Sequence, residues 1–229
     1  MIELYTSSTP NGWKVSILLE EIGLPYKVNP IKLQEGDQKK PNYLKVNPNG
    51  RIPAIIDTEA DITVFESGAC MLYLAEKSGQ LLPTDLKEKY NVMQWLMWQM
   101  GGVGPMQGQA NVFYRYFPEK IPAAIERYQN ECRRLFEVLD TQLSDGREYI
   151  TGEYSIADIA NFSWIHVYEW AGINTEGLNH LHKWIDRIAD RPAVKRGLAI
   201  PEPLNIRLAD ADDDAKDKFI EDAQKMLQR

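Results

Sequence analysis

The sequence predicts an α/β N-terminal part followed by an all-helical part. In the first third of the chain, short apolar segments and one amphipathic segment follow in the order strand, helix, strand, loop, strand, strand, helix. After Leu82-Pro83 the apolar residues recur at helical spacing, and nothing strand-like is indicated with comparable strength. The first three elements form a βαβ unit, so we expect the first two strands to be parallel and joined by a right-handed crossover.

The elements of the N-terminal part are predicted from local signals. The first helix carries apolar residues at helical spacing and is followed by Gly23-Leu24-Pro25, which stops it. The last two strands are separated by the four residues 58–61, a length typical of a hairpin. The predicted strands are 2–6, 26–32, 51–57 and 62–65, and the predicted helices are 13–22 and 68–77.

The helical part is predicted to contain stretches at roughly 86–114, 119–143, 156–170 and 178–190. Ser155 and Asp158 form a capping-box pattern at the start of the third stretch. Glycines within 101–105 should loosen or kink the first stretch. Prolines at 192, 201 and 203 predict an extended segment, and the acidic stretch 210–222 leads either to a short helix laid on the body or to a frayed tail. The predicted domains are 1–80, 87–200 and an acidic extension, 201–229.

Composition excludes several classes of protein. Apolar residues make up 44% of the 229 residues, which is enough to rule out disorder of the whole chain. The net charge of −7 disfavours a nucleic-acid partner, which would require a basic face. The longest apolar run, 69–75, is far shorter than the roughly 20 residues of a membrane span. The N-terminus shows no secretory signal, so we expect a cytoplasmic protein without membrane attachment.

The cysteines and histidines do not predict a metal or dithiol site. Cys70 and Cys132 are far apart, and neither belongs to a Cys-x-x-Cys pair. Both are expected to be free thiols, and Cys70 lies in the apolar run, as a core residue would. The three histidines, at 166, 180 and 182, lack metal-ligand spacing. We therefore expect no metal.

The loop before the first helix is the first candidate site. Thr9 is a natural N-cap and Pro10 a natural first helical residue. Unpaired backbone N–H groups and the helix dipole favour an anion at such a place, including a thiolate. Because no cysteine is nearby, the thiol would have to come from a ligand. The alternative interpretation is that Thr9 only caps the helix.

Two further segments could hold a ligand. Arg51, beside Ile52-Pro53 at a strand start, could bind a carboxylate or could simply be a solvated strand end. Ser67 can cap the second helix, whose N–H groups can receive a carboxylate, while Glu66 would attract an ammonium group. That pair suits the head of an α-amino acid, although Glu66 could equally be an ordinary acid at a helix start.

In combination these residues resemble the glutathione transferase superfamily. Ile52-Pro53, Glu66-Ser67 and the box from Ser155 to Asp158 occur in the order of that family, over residues 1–195. The closer resemblance is to the nu class, the bacterial branch related to the yeast prion-forming nitrogen regulator. It is carried by Thr9-Pro10-Asn11-Gly12, by Phe65-Glu66-Ser67, and by the stretches 94–99, 101–106 and 125–128.

The resemblance implies a thioredoxin-like N-terminal domain, a helical C-terminal domain, a homodimer, and glutathione as the thiol ligand. It implies that Pro53 is cis and that the backbone of Ile52 pairs with the cysteinyl part of glutathione. Glu66 and Ser67 match the residues that bind its γ-glutamyl group. Further matches are Gln38 and Arg51 near the glycyl carboxylate, Thr9 and Asn11 near the sulfur, and Arg127, which reaches across the dimer to the partner's ligand.

The function implied is that of a disulfide-bond oxidoreductase. Relatives of the nu class hold two glutathione thiols or one glutathione disulfide per site and use no protein cysteine, with low secondary transferase and peroxidase activity. One alternative is a conventional conjugating transferase, in which Tyr5, Ser7 or Ser8 could activate the thiol. The other is a non-catalytic glutathione-binding scaffold or regulator that uses the tail as a docking element.

Overall fold

The computed structural model of the chain describes residues 1–204 and 212–227. It divides into two compact units, of which the first contains Met1–Met93 and Ile188–Leu204. The second contains Gln94–Arg187 and the C-terminal helix. These units describe packing, and the domain bounds 1–80, 87–200 and 201–229 remain a prediction.

A four-stranded sheet lies in the first unit. Its strands are Ile2–Thr6 (β1), Tyr26–Pro30 (β2), Ala54–Asp57 (β3) and Ile62–Phe65 (β4), in the order β2-β1-β3-β4. Strands β1 and β2 are parallel, which confirms the predicted pairing, and β3 is antiparallel to both β1 and β4. The hairpin predicted across residues 58–61 is therefore confirmed.

Ten α-helices are described. In chain order they are Pro10–Ile22 (α1), Pro41–Leu44 (α2), Ser67–Ser78 (α3), Leu86–Trp98 (α4), Gly104–Asn111 (α5), Pro122–Gln142 (α6), Ile156–Ile165 (α7), Asn179–Ala189 (α8), Pro192–Leu198 (α9) and Asp213–Leu227 (α10). Short 3₁₀ turns occur at Leu33–Glu35, Asp37–Lys39 and Tyr168–Ala171, and wider π-helical turns at Gln99–Val103 and Val112–Tyr116.

Helix α1 is buried on nearly all sides by its neighbours in the first unit. It packs against α3 and α9, and every residue from Gly12 to Leu19 is buried. Ser16 donates a 2.7 Å hydrogen bond to the carbonyl of Gly197 on α9, and Arg191 forms an ion pair of 2.7 Å with Glu21. This packing fixes the direction of α1 and hence the position of its N-terminus.

Two predicted strands are shorter than expected. Strand β2 ends at Pro30 rather than at residue 32, because the N–H of Lys32 donates to the Asp37 carboxylate at 3.0 Å. Strand β3 begins at Ala54 rather than at residue 51. The carbonyl of Arg51 accepts from Tyr43 and Asn47 instead of from a neighbouring strand.

In the helical part, one prediction is confirmed and two require correction. The stretch 86–114 is interrupted by the π turn at Gln99–Val103, where weak helix formers, Gly101 and Gly102, widen the turn as predicted. The stretch 156–170 stops at Ile165, since Val167 has non-helical angles of φ −107° and ψ 24°. The segment after Pro192 is not extended throughout, because Pro192 occupies the first turn of α9, where proline needs no N–H partner.

The predicted capping box and the acidic tail both belong to the second unit. The box at Ser155 and Asp158 is confirmed, with both reciprocal hydrogen bonds present. Of the acidic stretch 210–222, residues 210–211 lie outside the described residues, and the rest begins helix α10. Phe219 on α10 packs edge-on against Trp170, with ring centroids 5.5 Å apart. The tail is thus a helix laid on its unit.

Candidate functional site

Thr9 is the N-cap of α1. Its backbone is extended, with φ −143°, and its hydroxyl oxygen accepts the N–H of Gly12 at 3.4 Å, which confirms the predicted cap. Pro10 occupies the first helical position. Thr9 and Asn11 are both partly exposed. A helix end with two accessible polar side chains is suited to bind an anionic group.

Gly12 allows the preceding loop to lie directly on this helix end. A Cβ atom at this position would collide with the backbone carbonyl of Ser7 and with the hydroxyl of Thr6. The N–H of Thr9 also donates to the Ser7 carbonyl at 2.8 Å. The loop that carries Thr9 is therefore held in one arrangement by its own backbone.

The segment before β3 forms the second part of the site. The Ile52–Pro53 peptide bond is cis. Tyr43 donates to the Arg51 carbonyl at 2.6 Å and the Asn47 amide donates to it at 2.7 Å. Pro53 is buried, Ile52 is partly exposed and Arg51 is exposed. The two hydrogen bonds thus hold the backbone of Arg51 in place, while its side chain extends into solvent.

Gln38 lies against the same turn. Its backbone carbonyl would be only 2.9 Å from a Cβ atom at Gly50, whose φ of +60° also favours glycine. The Gln38 side chain is 9% exposed and donates to the carbonyl of Leu33 at 3.4 Å. Its amide oxygen is buried and has no partner among the described residues. Gln38 and Arg51 are therefore carried by two adjoining loops.

Glu66 and Ser67 join β4 to α3. Glu66 is exposed and has a positive φ of 71°, an uncommon conformation for a residue other than glycine. Strain of this kind is often concentrated at functional positions. Ser67 is the first residue of α3 and only 3% of its surface is exposed. The pair thus offers a carboxylate next to a helix N-terminus.

The structure adds Lys14, which the sequence analysis missed. Lys14 is 1% exposed, and its ammonium group donates to the hydroxyl oxygen of Ser67 at 3.2 Å. Burial lowers the pKa of Lys14 to about 7, and the carboxylate of Glu66 partly opposes this shift. The available signal was its position four residues before Leu18 and eight before Ile22, on one face of α1.

Arg127 belongs to the second unit. It lies on α6, its side chain is 67% exposed, and its Nη1 atom is 3.7 Å from a carboxylate oxygen of Glu131. The other predicted ligand residues all belong to the first unit.

The hydroxyl groups considered as alternative activators have other hydrogen-bond partners. Tyr5 donates to Glu3 at 3.0 Å, and both burial and this carboxylate raise the pKa of Tyr5. Ser8 donates to the carbonyl of Glu202 at 2.6 Å. Thr9 differs from Tyr5 and Ser8 in capping the helix itself, where its hydroxyl accepts from the N–H of Gly12 and donates to the carbonyl of Ser7 at 3.5 Å.

Both cysteines are buried and in the free thiol form. Burial raises the pKa of Cys70 far above its ordinary value and that of Cys132 to about 12. Neither thiol would ionise at neutral pH, and the expectation that Cys70 is a core residue is confirmed.

Over residues 1–204 and 212–227 no cluster of three or more His, Cys, Asp or Glu side chains could hold a metal ion. Within the same ranges, no helix combines the length and apolarity that crossing a bilayer would require.

Comparison with known proteins identifies the family. Residues 2–76 match the family model for the glutathione S-transferase N-terminal domain, and residues 108–192 match that for the C-terminal domain. The chain is 43% identical over 204 residues to "Disulfide-bond oxidoreductase YfcG" of Escherichia coli (strain K12). That match covers 86% of this chain and 94% of the relative.

Solved structures are similar over the same share of the chain. A glutathione transferase family member from Pseudomonas fluorescens, with two glutathione bound, has a TM-score of 0.81 and 46% identity, covering 86% of this chain and 92% of that one. A glutathione transferase from Pseudomonas putida, with one glutathione disulfide bound per subunit, has a TM-score of 0.83 and 41% identity, covering 87% and 91%. The predicted thioredoxin-like domain and helical domain are therefore confirmed, and the chain belongs to the glutathione S-transferase family.

Proposed function

We propose that this protein is a glutathione-dependent disulfide-bond oxidoreductase that uses the thiolate of glutathione and no cysteine of its own. The main observation behind the proposal is that the protein's own thiols are buried, whereas the polar groups at the N-terminus of α1 are accessible. Cys70 and Cys132 are buried with raised pKa values, whereas Thr9 and Asn11 are accessible at the N-terminus of α1. The identity to a disulfide-bond oxidoreductase and to structures that hold glutathione or its disulfide supports the same reaction.

In the proposed mechanism, Thr9 and Asn11 donate hydrogen bonds to the glutathione sulfur. Lowering a thiol pKa from about 8.5 to about 6.5 requires roughly 2.7 kcal/mol. One or two charge-assisted hydrogen bonds together with the helix dipole are of that size. The thiolate attacks one sulfur of the substrate disulfide, its S–S bond breaks, and the departing thiolate takes up a proton. A second glutathione thiolate attacks the mixed disulfide, releasing the second substrate thiol and glutathione disulfide.

The remaining residues would bind the tripeptide along its length. Glu66 takes the γ-glutamyl ammonium, Ser67 takes the α-carboxylate, and the backbone of Ile52 pairs with the cysteinyl residue. Gln38 and Arg51 lie near the glycyl carboxylate. The site would hold two glutathione molecules or one glutathione disulfide, as in the solved relatives.

We further propose a homodimer in which Arg127 extends to the partner's ligand. Its exposure of 67% leaves the guanidinium accessible for such a contact. The two free thiols suit a reducing compartment, which is also where glutathione is abundant in its thiol form, so we propose the cytoplasm.

The decisive assay is reduction of 2-hydroxyethyl disulfide by glutathione. The double variant Cys70→Ala, Cys132→Ala should keep wild-type kcat, whereas Thr9→Ala should lose at least about tenfold, as expected when a donor to a developing or resting anion is removed. Wild-type activity in Thr9→Ala would remove Thr9 from the mechanism. Loss of activity in the cysteine variant, with the protein still folded, would overturn thiol supply by the ligand.

The alternative functions predict different ratios of disulfide reduction to electrophile conjugation. The proposed oxidoreductase should show only low secondary transferase and peroxidase activity. A conventional conjugating transferase would instead act faster on a chlorodinitrobenzene-type electrophile than on the disulfide. A non-catalytic scaffold would show neither activity, and calorimetry with glutathione and its disulfide would then separate a binding regulator from a chain that binds neither.

A further inference from the structure

Lys14 is a buried cation that the proposed reaction does not use. Lysine is rarely buried without a specific partner, because transfer of an ammonium group out of water is costly. Lys14 is nevertheless 1% exposed, between α1 and the start of α3. Its Nζ atom lies 3.2 Å from the hydroxyl oxygen of Ser67. The lysine therefore supports one of the residues proposed to bind the ligand.

The chemistry of this contact sets the direction of the Ser67 hydroxyl. A charged ammonium group has three donors and no acceptor. While Lys14 is charged, the oxygen of Ser67 must therefore be the acceptor, and its hydrogen is directed away from Lys14. A hydroxyl oriented in this way can donate to a carboxylate on its other side. Only 3% of Ser67 is exposed, so such a group would reach it from one direction.

The charges around Lys14 favour the same binding mode as the orientation of the Ser67 hydroxyl. The carboxylate of Glu66 already favours the charged form of Lys14, against the cost of burial. A ligand carboxylate arriving at Ser67 would place a second negative charge near the same ammonium group, and opposite charges favour each other's ionised forms. Glu66 is exposed, while Lys14 and Ser67 are buried. The three residues together match an α-amino acid group, with its cation towards Glu66 and its anion towards Ser67.

We propose that Lys14 is a positioning residue for the γ-glutamyl end of glutathione: its Nζ donates to the Ser67 oxygen and so directs the Ser67 hydroxyl towards the ligand's α-carboxylate. This inference rests on the proposed function. Lys14 acts through Ser67 and does not itself contact the reacting sulfur.

The test compares Lys14→Met, which removes the donor at similar size, with Lys14→Gln, which keeps a neutral donor. Glutathione affinity is measured by calorimetry, and KM and kcat by the 2-hydroxyethyl disulfide assay. Lys14→Met should raise the dissociation constant and KM for glutathione about tenfold and leave kcat within about twofold. Lys14→Gln should recover part of the affinity. Because each variant is assayed separately, failure of one to fold leaves the other as the test.

Two controls isolate positioning from general stability. An analogue of glutathione with γ-aminobutyrate in place of the γ-glutamyl group lacks the α-carboxylate, so it should bind wild type and Lys14→Met equally. In a Ser67→Ala background, Lys14→Met should cause no further loss. Ser16→Ala, a buried polar change on the same helix that breaks the bond to Gly197, should reduce stability and leave glutathione affinity unchanged.

Several results would overturn the inference. These are unchanged affinity in Lys14→Met, an equal loss for glutathione and the analogue, or the same loss in the Ser67→Ala background. If wild-type protein does not bind glutathione at all, the proposed function fails together with this inference. If wild type binds and the Lys14 variants behave as wild type, the inference alone fails.

Discussion

The indole Nε1 of Trp184 donates a 2.9 Å hydrogen bond to the carboxylate of Asp158, and both side chains are fully buried. The same carboxylate accepts the backbone N–H groups of Ile150 at 2.9 Å and Ser155 at 3.1 Å. Asp158 therefore ties the start of α7 to α8 and to the segment that precedes α7. One buried carboxylate thus joins three segments of the second unit.

We expect Asp158→Ala to destabilise the second unit by at least about 3 kcal/mol. The substitution leaves three buried N–H donors without an acceptor, each costing about 1–3 kcal/mol. Urea unfolding followed by far-ultraviolet circular dichroism measures the loss. Asp145→Ala removes an exposed carboxylate that pairs with nearby Arg147 and should change stability little. Equal losses in the two variants would contradict the role given to Asp158.

The stability of the wild-type protein should increase from pH 7 to pH 10 relative to Lys14→Met. Burial lowers the pKa of Lys14 to about 7, whereas in the unfolded chain it is about 10.4. Between these values the unfolded state binds the extra proton, so the free energy of unfolding rises with pH. The difference between wild type and variant should shift by roughly 4 kcal/mol between pH 6 and pH 10.

Lys27→Met, on the exposed side of β2, is the control for the general effect of pH. Its difference from wild type should stay constant over the same range. A pH-independent difference for Lys14→Met would mean that Lys14 remains charged in the folded protein at pH 10.

Asp57 should govern part of the acid sensitivity of the first unit. Burial raises its pKa, but hydrogen bonds from Lys77, Tyr73 and two backbone N–H groups outweigh burial and hold the pKa well below its usual range. A depressed pKa contributes stability above the unfolded value of about 3.9, and this stability is lost as the pH falls. Wild type and Asp57→Asn should therefore differ most above pH 5 and converge towards pH 2 in denaturant titrations.

Asp61→Asn is the matched control, because Asp61 lies exposed on the same hairpin with a positive φ that asparagine tolerates. Its difference from wild type should be small at every pH. Persistence of the Asp57→Asn difference at pH 2 would show that the charge of Asp57 is not its source.

Phe219→Ala should loosen helix α10. The Phe219 ring packs against Trp170 and, at a centroid distance of 6.3 Å, against Tyr116. Losing this contact should lower the opening free energy of α10 by about 1–2 kcal/mol. Hydrogen exchange across Asp213–Leu227 should accelerate about tenfold. Lys218→Ala, exposed on the same helix, should leave exchange unchanged, and similar acceleration in both variants would exclude docking through Phe219.

Local signals predicted much of the first unit. The cap at Thr9, the stop at Gly23 and the hairpin at 58–61 depend on residues within a few positions, so the sequence pattern contains them. The sequence predicts a strand over 51–57, but residues 51–53 lie outside β3. Tyr43 of α2 and Asn47 of the turn after it donate hydrogen bonds to the Arg51 carbonyl, and the apolar pattern of the segment does not show these contacts.

Lys14 shows why the site was only partly predictable. A charged residue on an amphipathic helix is usually exposed, and the pattern of α1 offers one polar face that could have been solvated. Helices α3 and α9 pack against α1 and leave Lys14 buried. That burial is a property of the assembled first unit, and only the position of Lys14 relative to Leu18 and Ile22 indicates it.

The packing of α9 against α1 has a consequence for biosynthesis. The first 93 residues leave the ribosome long before residues 191–198, which supply the partners of Ser16 and Glu21. Until translation reaches that point, the side of α1 that packs against α9 lacks its native partner. An isolated fragment ending near residue 90 would never acquire that partner. Helix α1 is thus synthesised early, but it completes its native packing only after α9 has been made.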